Sequence, residues 1–167
     1  TLGMPNQLVF MEQVIGDKEA RFDVQKLNWI GSPDRNTTVL YMRADTPYKS
    51  MDDVINAKTP PKCGGSGRDS SSVIFALEEL IGAKFEVVLG YQGGNQTDLA
   101  VERGEVVCRT MVLGVHFNRQ PFTMWHDKNF DRHLVQMGRK RDARAADTPT
   151  LYELMDRYKT TERGRQL

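Results

Sequence analysis

Residues 62–81 read KCGGSGRDSSSVIFALEELI, and the fold class follows from how this stretch is parsed. Lys62 and Cys63 close a buried strand, Gly64, Gly65 and Gly67 make a turn, and a helix follows. Glycines in such a turn allow positive φ or a close approach of the backbone to a ligand. Asp69, Ser70, Ser71 and Ser72 crowd the helix start, where side-chain oxygens cap free N–H groups. Val73, Ile74, Leu77, Leu80 and Ile81 then recur at the spacing of a helix with one buried face. A small-residue turn feeding a helix N-terminus suits an anion, because unpaired N–H groups and the helix dipole both favour negative charge. A well-capped helix with no ligand accounts for the same residues.

A second unit of the same kind comes next. Residues 85–89 form an apolar strand interrupted only by Glu86, and Gly90, Tyr91, Gln92, Gly93, Gly94 and Asn95 make a second glycine turn. A helix over 96–103 is ended by Gly104, and residues 106–115 return as a long apolar strand. Strand, turn, helix and strand in this order predict an α/β fold with a mainly parallel sheet flanked by helices. Right-handed crossovers put both glycine turns at the same carboxyl edge, where open α/β sheets bind ligands. Tyr91 would wall a pocket there, Asn95 would cap the helix, and Asp98 would favour its dipole. A tight connection and simple helix stability explain those three equally well. Neither turn ends in Gly-Lys-Ser/Thr or matches the dinucleotide fingerprint, so no cofactor is expected.

The flanks are less regular. Pro5 and Asn6 open a predicted helix that reaches residue 15, and residues 26–30 and 37–43 read as strands with a turn over 31–34. Ser50 with Asp53, and Thr150 with Glu153, are capping boxes that start short helices. Residues 118–130 predict one or two helices, and residues 132–137 a further strand.

With 39% hydrophobic and 27% charged residues over 167 positions, the composition is that of one globular domain. The 23 Lys and Arg nearly cancel the 22 Asp and Glu, so no global field draws the chain to nucleic acid or membrane. No run of about 18 apolar residues would embed it in a bilayer. No signal peptide is visible and Thr1 is not an initiator methionine, which reads as a processed or cloned segment and leaves the compartment open.

The chemistry-bearing residues give few alternatives. Cys63 or Ser70 at a helix N-terminus could serve a hydrolase or acyl-transfer enzyme, with His116, His126 or His133 as base. A cysteine in a buried strand is as readily a small hydrophobe. Cys63 and Cys108 are expected on neighbouring parallel strands yet unbonded, because the Cβ vectors of such strands suit a disulfide poorly. The histidines are too scattered in sequence, and too poor in Cys or carboxylate companions, to predict a metal site. Arg139, Lys140, Arg141 and Arg144 around Asp142 read as a solvated loop. Without aromatic interleaving or basic excess, no nucleic-acid partner is expected.

The segments TLGMPN, NWIGSP, GGSGRDSSS, LGYQGGNQTDLAVERGEV and QMGRKRDARAADTPTLYEL, in that order, resemble the solute-binding proteins of tripartite tricarboxylate transporters. That resemblance covers nearly the whole chain, and its longest glycine-turn block is the most specific part. It implies a two-lobed, Venus-flytrap protein of the bacterial periplasm that catalyses nothing, traps a small organic acid and hands it to a membrane permease. It implies ligand contacts from Gly67, Arg68, Asp69, Ser70, Ser71 and Ser72 and from Gln92, Gly93, Gly94 and Asn95. Met4, Pro5 and Asn6 would belong to a loop of the other lobe. Ser66, Tyr91 and Asp98 complete the expected ligand set.

The family's glycine-rich opening and its C-terminal return have no counterpart here. The expected organisation is therefore an edge of the first lobe with a hinge over 1–35, the ligand-binding lobe of a type II fold over 36–130, and a return segment over 131–167. Arg68 and Asp69 stand where small or hydroxyl residues are common, which leaves the ligand open. Arg109, a charge in an apolar strand, fits either a carboxylate clamp or a core-edge salt bridge. A sensor lobe that binds a protein partner is the remaining alternative.

Overall fold

The strand β1, Thr38–Arg43, explains the layering of the molecule. Its β-branched and aromatic residues favour an extended backbone, and alternate side chains leave on opposite faces. Leu40 and Met42 enter one core while Val39 and Tyr41 enter a second, and all four are fully buried. A strand buried on both sides must sit inside a sheet covered by two helical layers.

The computed structural model describes residues 21–31, 37–67 and 69–165. The chain divides into two compact units, Thr1–Arg35 and Asn36–Leu167. In the first unit the described residues form a 3-10 turn, Val24–Lys26, held by Asp23, whose carboxylate accepts from the Gln25 amide. Residues 27–30 form no strand, contrary to the expectation for 26–30, and Leu27, Trp29 and Ile30 are exposed. Their β-like composition has no partner strand among the described residues to pair with. The predicted helix at 5–15 and the 32–34 part of the turn lie outside the described residues.

The second unit holds a five-stranded sheet in the order β3-β2-β4-β1-β5. Its other strands are β2, Lys62–Gly65, β3, Glu86–Leu89, β4, Cys108–Val112, and β5, Asp131–Gln136. β2 runs parallel to β3 and β4, whereas β1 is antiparallel to both β4 and β5. The sheet is therefore mixed, two of its four pairings being parallel and two antiparallel, with β1 alone running against the other strands.

The helices are α1, Met51–Ile55, α2, Ser72–Ile81, α3, Gly94–Arg103, α4, Leu113–Asn118, α5, Phe122–Asp127, α6, Leu151–Arg157, and α7, Glu162–Arg165. Ser50 with Asp53 and Thr150 with Glu153 close reciprocal capping boxes at the starts of α1 and α6. Gly82 and Gly104 end α2 and α3 in the left-handed conformation, with φ of 69° and 75°. The chain steps from β2 out to β3 and back across β2 to β4, so right-handed crossovers place α2 and α3 on opposite faces. Their buried residues agree: Ile74 and Leu77 join one core with Met51 and Leu154, while Ala100 and Val101 join the other with Leu113, Phe122 and Trp125.

Two sequence expectations need correction. The strand expected over 106–115 stops at Val112, and residues 113–118 turn into α4. Leu113 and His116, one helical turn apart, are buried while Val115 is exposed, a period that a strand cannot satisfy. Cys63 and Cys108 are bonded, not free. They lie on neighbouring parallel strands as expected, but face each other directly with a Cα–Cα distance of 4.4 Å, inside the range a disulfide spans. This is the one register pair between β2 and β4, so no extended ladder holds the strands at a spacing unsuited to the bond.

Candidate functional site

The two glycine turns leave the sheet at one edge. β2 and β3 are parallel and Gly65 pairs with Leu89, so the chain exits both strands side by side. Gly64 and Gly65 matter for close approach rather than for unusual φ. A Cβ on Gly64 would lie 2.7 Å from the Thr97 methyl and 3.3 Å from the Tyr91 ring, and one on Gly65 would collide with Ser71 Oγ. Helices on both faces are thus drawn tightly onto the end of β2. In the second turn Gly90 and Gly93, with φ of 103° and 132°, need glycine for their conformation.

The first turn is stitched by Ser70. Its hydroxyl donates to the Gly67 carbonyl at 2.8 Å, accepts from the Gly67 amide at 3.0 Å and lies 3.2 Å from Ser66 Oγ. The Thr110 hydroxyl on β4 donates to the Ser70 carbonyl at 2.7 Å and ties the turn to the sheet. Residues Asp69–Ser71 form a 3-10 turn rather than the first turn of α2, and Ser71 takes the N-cap position without a capping bond. Ser71 is fully buried, and its Oγ has no hydrogen-bond partner among the described residues. Such an orphan hydroxyl costs about 1–3 kcal/mol.

The second turn caps α3 at Gly93 rather than at the expected Asn95. The first bond into the helix runs from the Thr97 amide to the Gly93 carbonyl, which leaves the amides of Gly94, Asn95 and Gln96 without an intrahelical acceptor. Asn95 lies inside the helix, where its Oδ1 accepts from Arg119 at 2.6 Å. Gln96 accepts from the Gln92 amide at 2.9 Å, and Gln92 itself is exposed.

Beneath α3 sits a buried charge network. Arg109 on β4 donates to the Gly94 carbonyl at 2.8 Å and pairs with Asp98 Oδ1. Asp98 is only 5% exposed and also accepts from the Tyr41 hydroxyl at 3.1 Å. Burial, and then the Asp98 carboxylate, push the Tyr41 phenol well above its usual pKa. Asp98 therefore faces inward, and Arg109 makes the core-edge salt bridge of the two arrangements its sequence position allowed. Pro5, Asn6 and Arg68 lie outside the described residues. Tyr41, Thr110 and Arg119 were missed in the sequence, because only the sheet register and the end of α4 bring them to this edge.

No protein-family model matches the chain, and no curated protein does. Solved structures do match. A TctC solute-binding protein from Polaromonas aligns at 20% identity over 71% of this chain and 40% of its own, with a TM-score of 0.58. An adipate-bound protein from R. palustris aligns at 18% identity over 72% and 40%, with a TM-score of 0.59. MatC from Rhodopseudomonas palustris with bound malate aligns at 17% over 71% and 41%, with a TM-score of 0.54. The fold is that of one lobe of a periplasmic solute-binding protein. The chain spans about 40% of the length of these structures.

Within this lobe the groups suggested for catalysis are otherwise engaged. Cys63 has no thiol to ionise, being in the disulfide, and the Ser70 hydroxyl bonds to its own turn rather than to a histidine. No described helix is long and apolar enough to cross a membrane.

The three histidines, expected to be scattered, meet on one face of the sheet. His116 comes from α4, His126 from α5 and His133 from β5, and one ring nitrogen of each lies within 4.8 Å of the others. His133 Nε2 is 3.0 Å from His116 Nδ1. Asp131, with a side chain 1% exposed, lies 2.7 Å from His116 Nε2. Burial, and then His116, hold the His133 pKa down to about 4.

Proposed function

We propose that the chain is the ligand-binding lobe of a solute-binding protein for a small organic carboxylate, held where α2 and α3 begin. The convergence of two glycine turns on adjacent parallel strands carries this reading. It sets two helix N-termini on opposite faces of one sheet edge, beside a buried Ser71 hydroxyl with no partner among the described residues. Ser66, Gly67, Arg68, Asp69, Ser70 and Ser71 would supply contacts from the first turn, and Tyr91, Gln92, Gly93, Gly94 and Asn95 from the second. Asp98 acts through Arg109, holding it against Gly94. Arg119 adds a cation at the rim through Asn95. The adipate and malate in the neighbours support a dicarboxylate.

A second lobe, contributing a loop with Pro5 and Asn6, would close over the ligand, and a membrane permease would receive it. A buried disulfide persists in an oxidising compartment, which supports a periplasmic location. Non-catalytic binding fits the engaged Cys63 and Ser70.

Each helix N-terminus contributes about 0.3–1 kcal/mol towards an exposed anion, and charge-assisted N–H bonds about 1.5–3 kcal/mol each. Association costs at least ~4 kcal/mol, so a single lobe should bind at about millimolar. An NMR titration of the 167-residue protein with malate or adipate tests this. Fast-exchange shifts confined to the amides of residues 66–72 and 92–96 are expected. Shifts elsewhere, or none at high millimolar concentration, would overturn the reading.

A further inference from the structure

Asp131 presents a physical problem. It is a buried carboxylate, and neither oxygen makes a hydrogen bond among the described residues, although His116 Nε2 is 2.7 Å away. His116 Nε2 is likewise without a directed hydrogen bond. A buried charge in such a setting is costly unless a cation lies nearby. The described neighbours on this face are mostly rings. Phe122 stacks on His116 with centroids 4.9 Å apart, Phe117 stacks on His126 at 4.8 Å, and Tyr41 lies 5.1 Å from His116.

The imidazoles surround a common point. Ring centroids are 4.6 Å apart for His116–His126 and His116–His133 and 5.8 Å for His126–His133, with ring planes crossing at 72°, 72° and 79°. Nitrogens bound to zinc at ~2.0–2.1 Å in a tetrahedron lie about 3.3 Å from each other. The 3.0 Å between His133 Nε2 and His116 Nδ1 is close to that spacing. Two of the outward nitrogens also face the groups that metal-bound histidines take as partners. Metal-ligating imidazoles donate their other N–H to a carboxylate or a backbone carbonyl. His116 Nε2 faces Asp131, and His126 Nε2 lies 3.0 Å from the His116 carbonyl.

We propose that His116, His126 and His133 form a three-histidine site for a divalent ion of the zinc class, with Asp131 orienting His116. The ligand atoms are His116 Nδ1, His126 Nδ1 and His133 Nε2. A fourth position is left for water or an exogenous ligand, reached past the half-buried His126 and His133. Imidazole donors favour Zn2+ over Mg2+ or Ca2+. The site lies between α4, α5 and β5, so it does not depend on carboxylate binding at the glycine turns.

Tag-free protein, dialysed against chelator and titrated with Zn2+ by calorimetry, should bind one ion per chain. Co2+ in place of Zn2+ should show the intense visible bands of four-coordinate geometry. His126→Ala and His133→Ala should each abolish the bands, and Asp131→Asn should keep them while weakening binding ~10–100-fold. Melting curves without metal show whether each variant is folded, and His126→Gln, at a half-buried position, serves where an alanine variant is not. Lack of stoichiometric binding, or Co2+ bands unchanged by the histidine substitutions, would overturn the proposal. An Asp131→Asn variant that binds like the parent would remove Asp131 from it.

Discussion

Breaking the Cys63–Cys108 bond should cost this domain a large share of its stability. The bond joins residues 45 apart in sequence. The chain-entropy relation for a loop of that length gives about 13 cal/mol/K, or ~4 kcal/mol at 25 °C. A domain of this size is typically stable by ~5–15 kcal/mol, so the cross-link accounts for much of the margin. Both half-cystines are fully buried, and the pair Cys63→Ala with Cys108→Ala also removes two sulfurs from the core. That adds about 1 kcal/mol of lost packing. Urea unfolding of the parent with and without reductant isolates the cross-link from the packing. The reduced protein should lose ~4 kcal/mol and the double variant about 5 kcal/mol. The denaturant slope should rise in both, because an uncrosslinked unfolded chain exposes more surface. Coincident midpoints with and without reductant, or two thiols titrating in denatured, non-reduced protein, would refute the bond.

Two further outcomes bear on the proposed ligand edge and the network beneath it. Ser71→Ala should leave the free protein as stable or up to ~1–3 kcal/mol more stable, since it deletes an orphan hydroxyl, while reducing the malate-induced NMR shifts. A marked fall in melting temperature would show that Ser71 Oγ has a partner after all. At alkaline pH, Tyr41 should make stability fall with pH. Its folded pKa is raised, so its contribution is complete below the unfolded value near 10 and is lost as pH rises above it. Between pH 10 and 11 that loss approaches about 1.4 kcal/mol per pH unit, and Tyr41→Phe should lack it in urea titrations. Equal slopes in parent and variant would contradict the buried Tyr41–Asp98 contact.

Much of the α/β core was legible in the sequence because its signals are local. The period of Ile74, Leu77 and Ile81, the two glycine turns and the boxes at Ser50 and Thr150 act within one or two helical turns. From them the parallel grammar and the shared edge followed. The boundary of β4 was lost because residues 106–115 are apolar apart from Arg109, Thr110 and Gly114, and a short apolar run does not say which period it will adopt. Only burial of Leu113 and His116 against Phe122 separates strand from helix there. Contacts set by the folding of distant elements had no local signal at all. His116, His126 and His133 look unrelated until α4 and α5 fold over β5. The cysteine pair depended on a register that strand order alone does not give.

The charge arrangement at the glycine edge bears on what the site would select. Arg109 reaches the start of α3, yet its guanidinium is already matched by Asp98, and the pair is nearly cut off from water. A buried ion pair of this kind adds little net field, so it holds the Gly94 carbonyl without attracting an anion strongly. The attraction would then come from the amides of Gly94, Asn95 and Gln96, which have no intrahelical acceptor, and from Arg119 at the rim. Amides are directional and weakly charged, whereas a free guanidinium draws any anion. A carboxylate would therefore be recognised by how its oxygens fit two helix starts on opposite faces of one strand. The span between those starts is set by Gly64 and Gly65, whose missing side chains let Thr97 and Tyr91 on one face and Ser71 on the other close onto β2. Substitution at either glycine should change ligand length preference before it changes affinity for carboxylate as such.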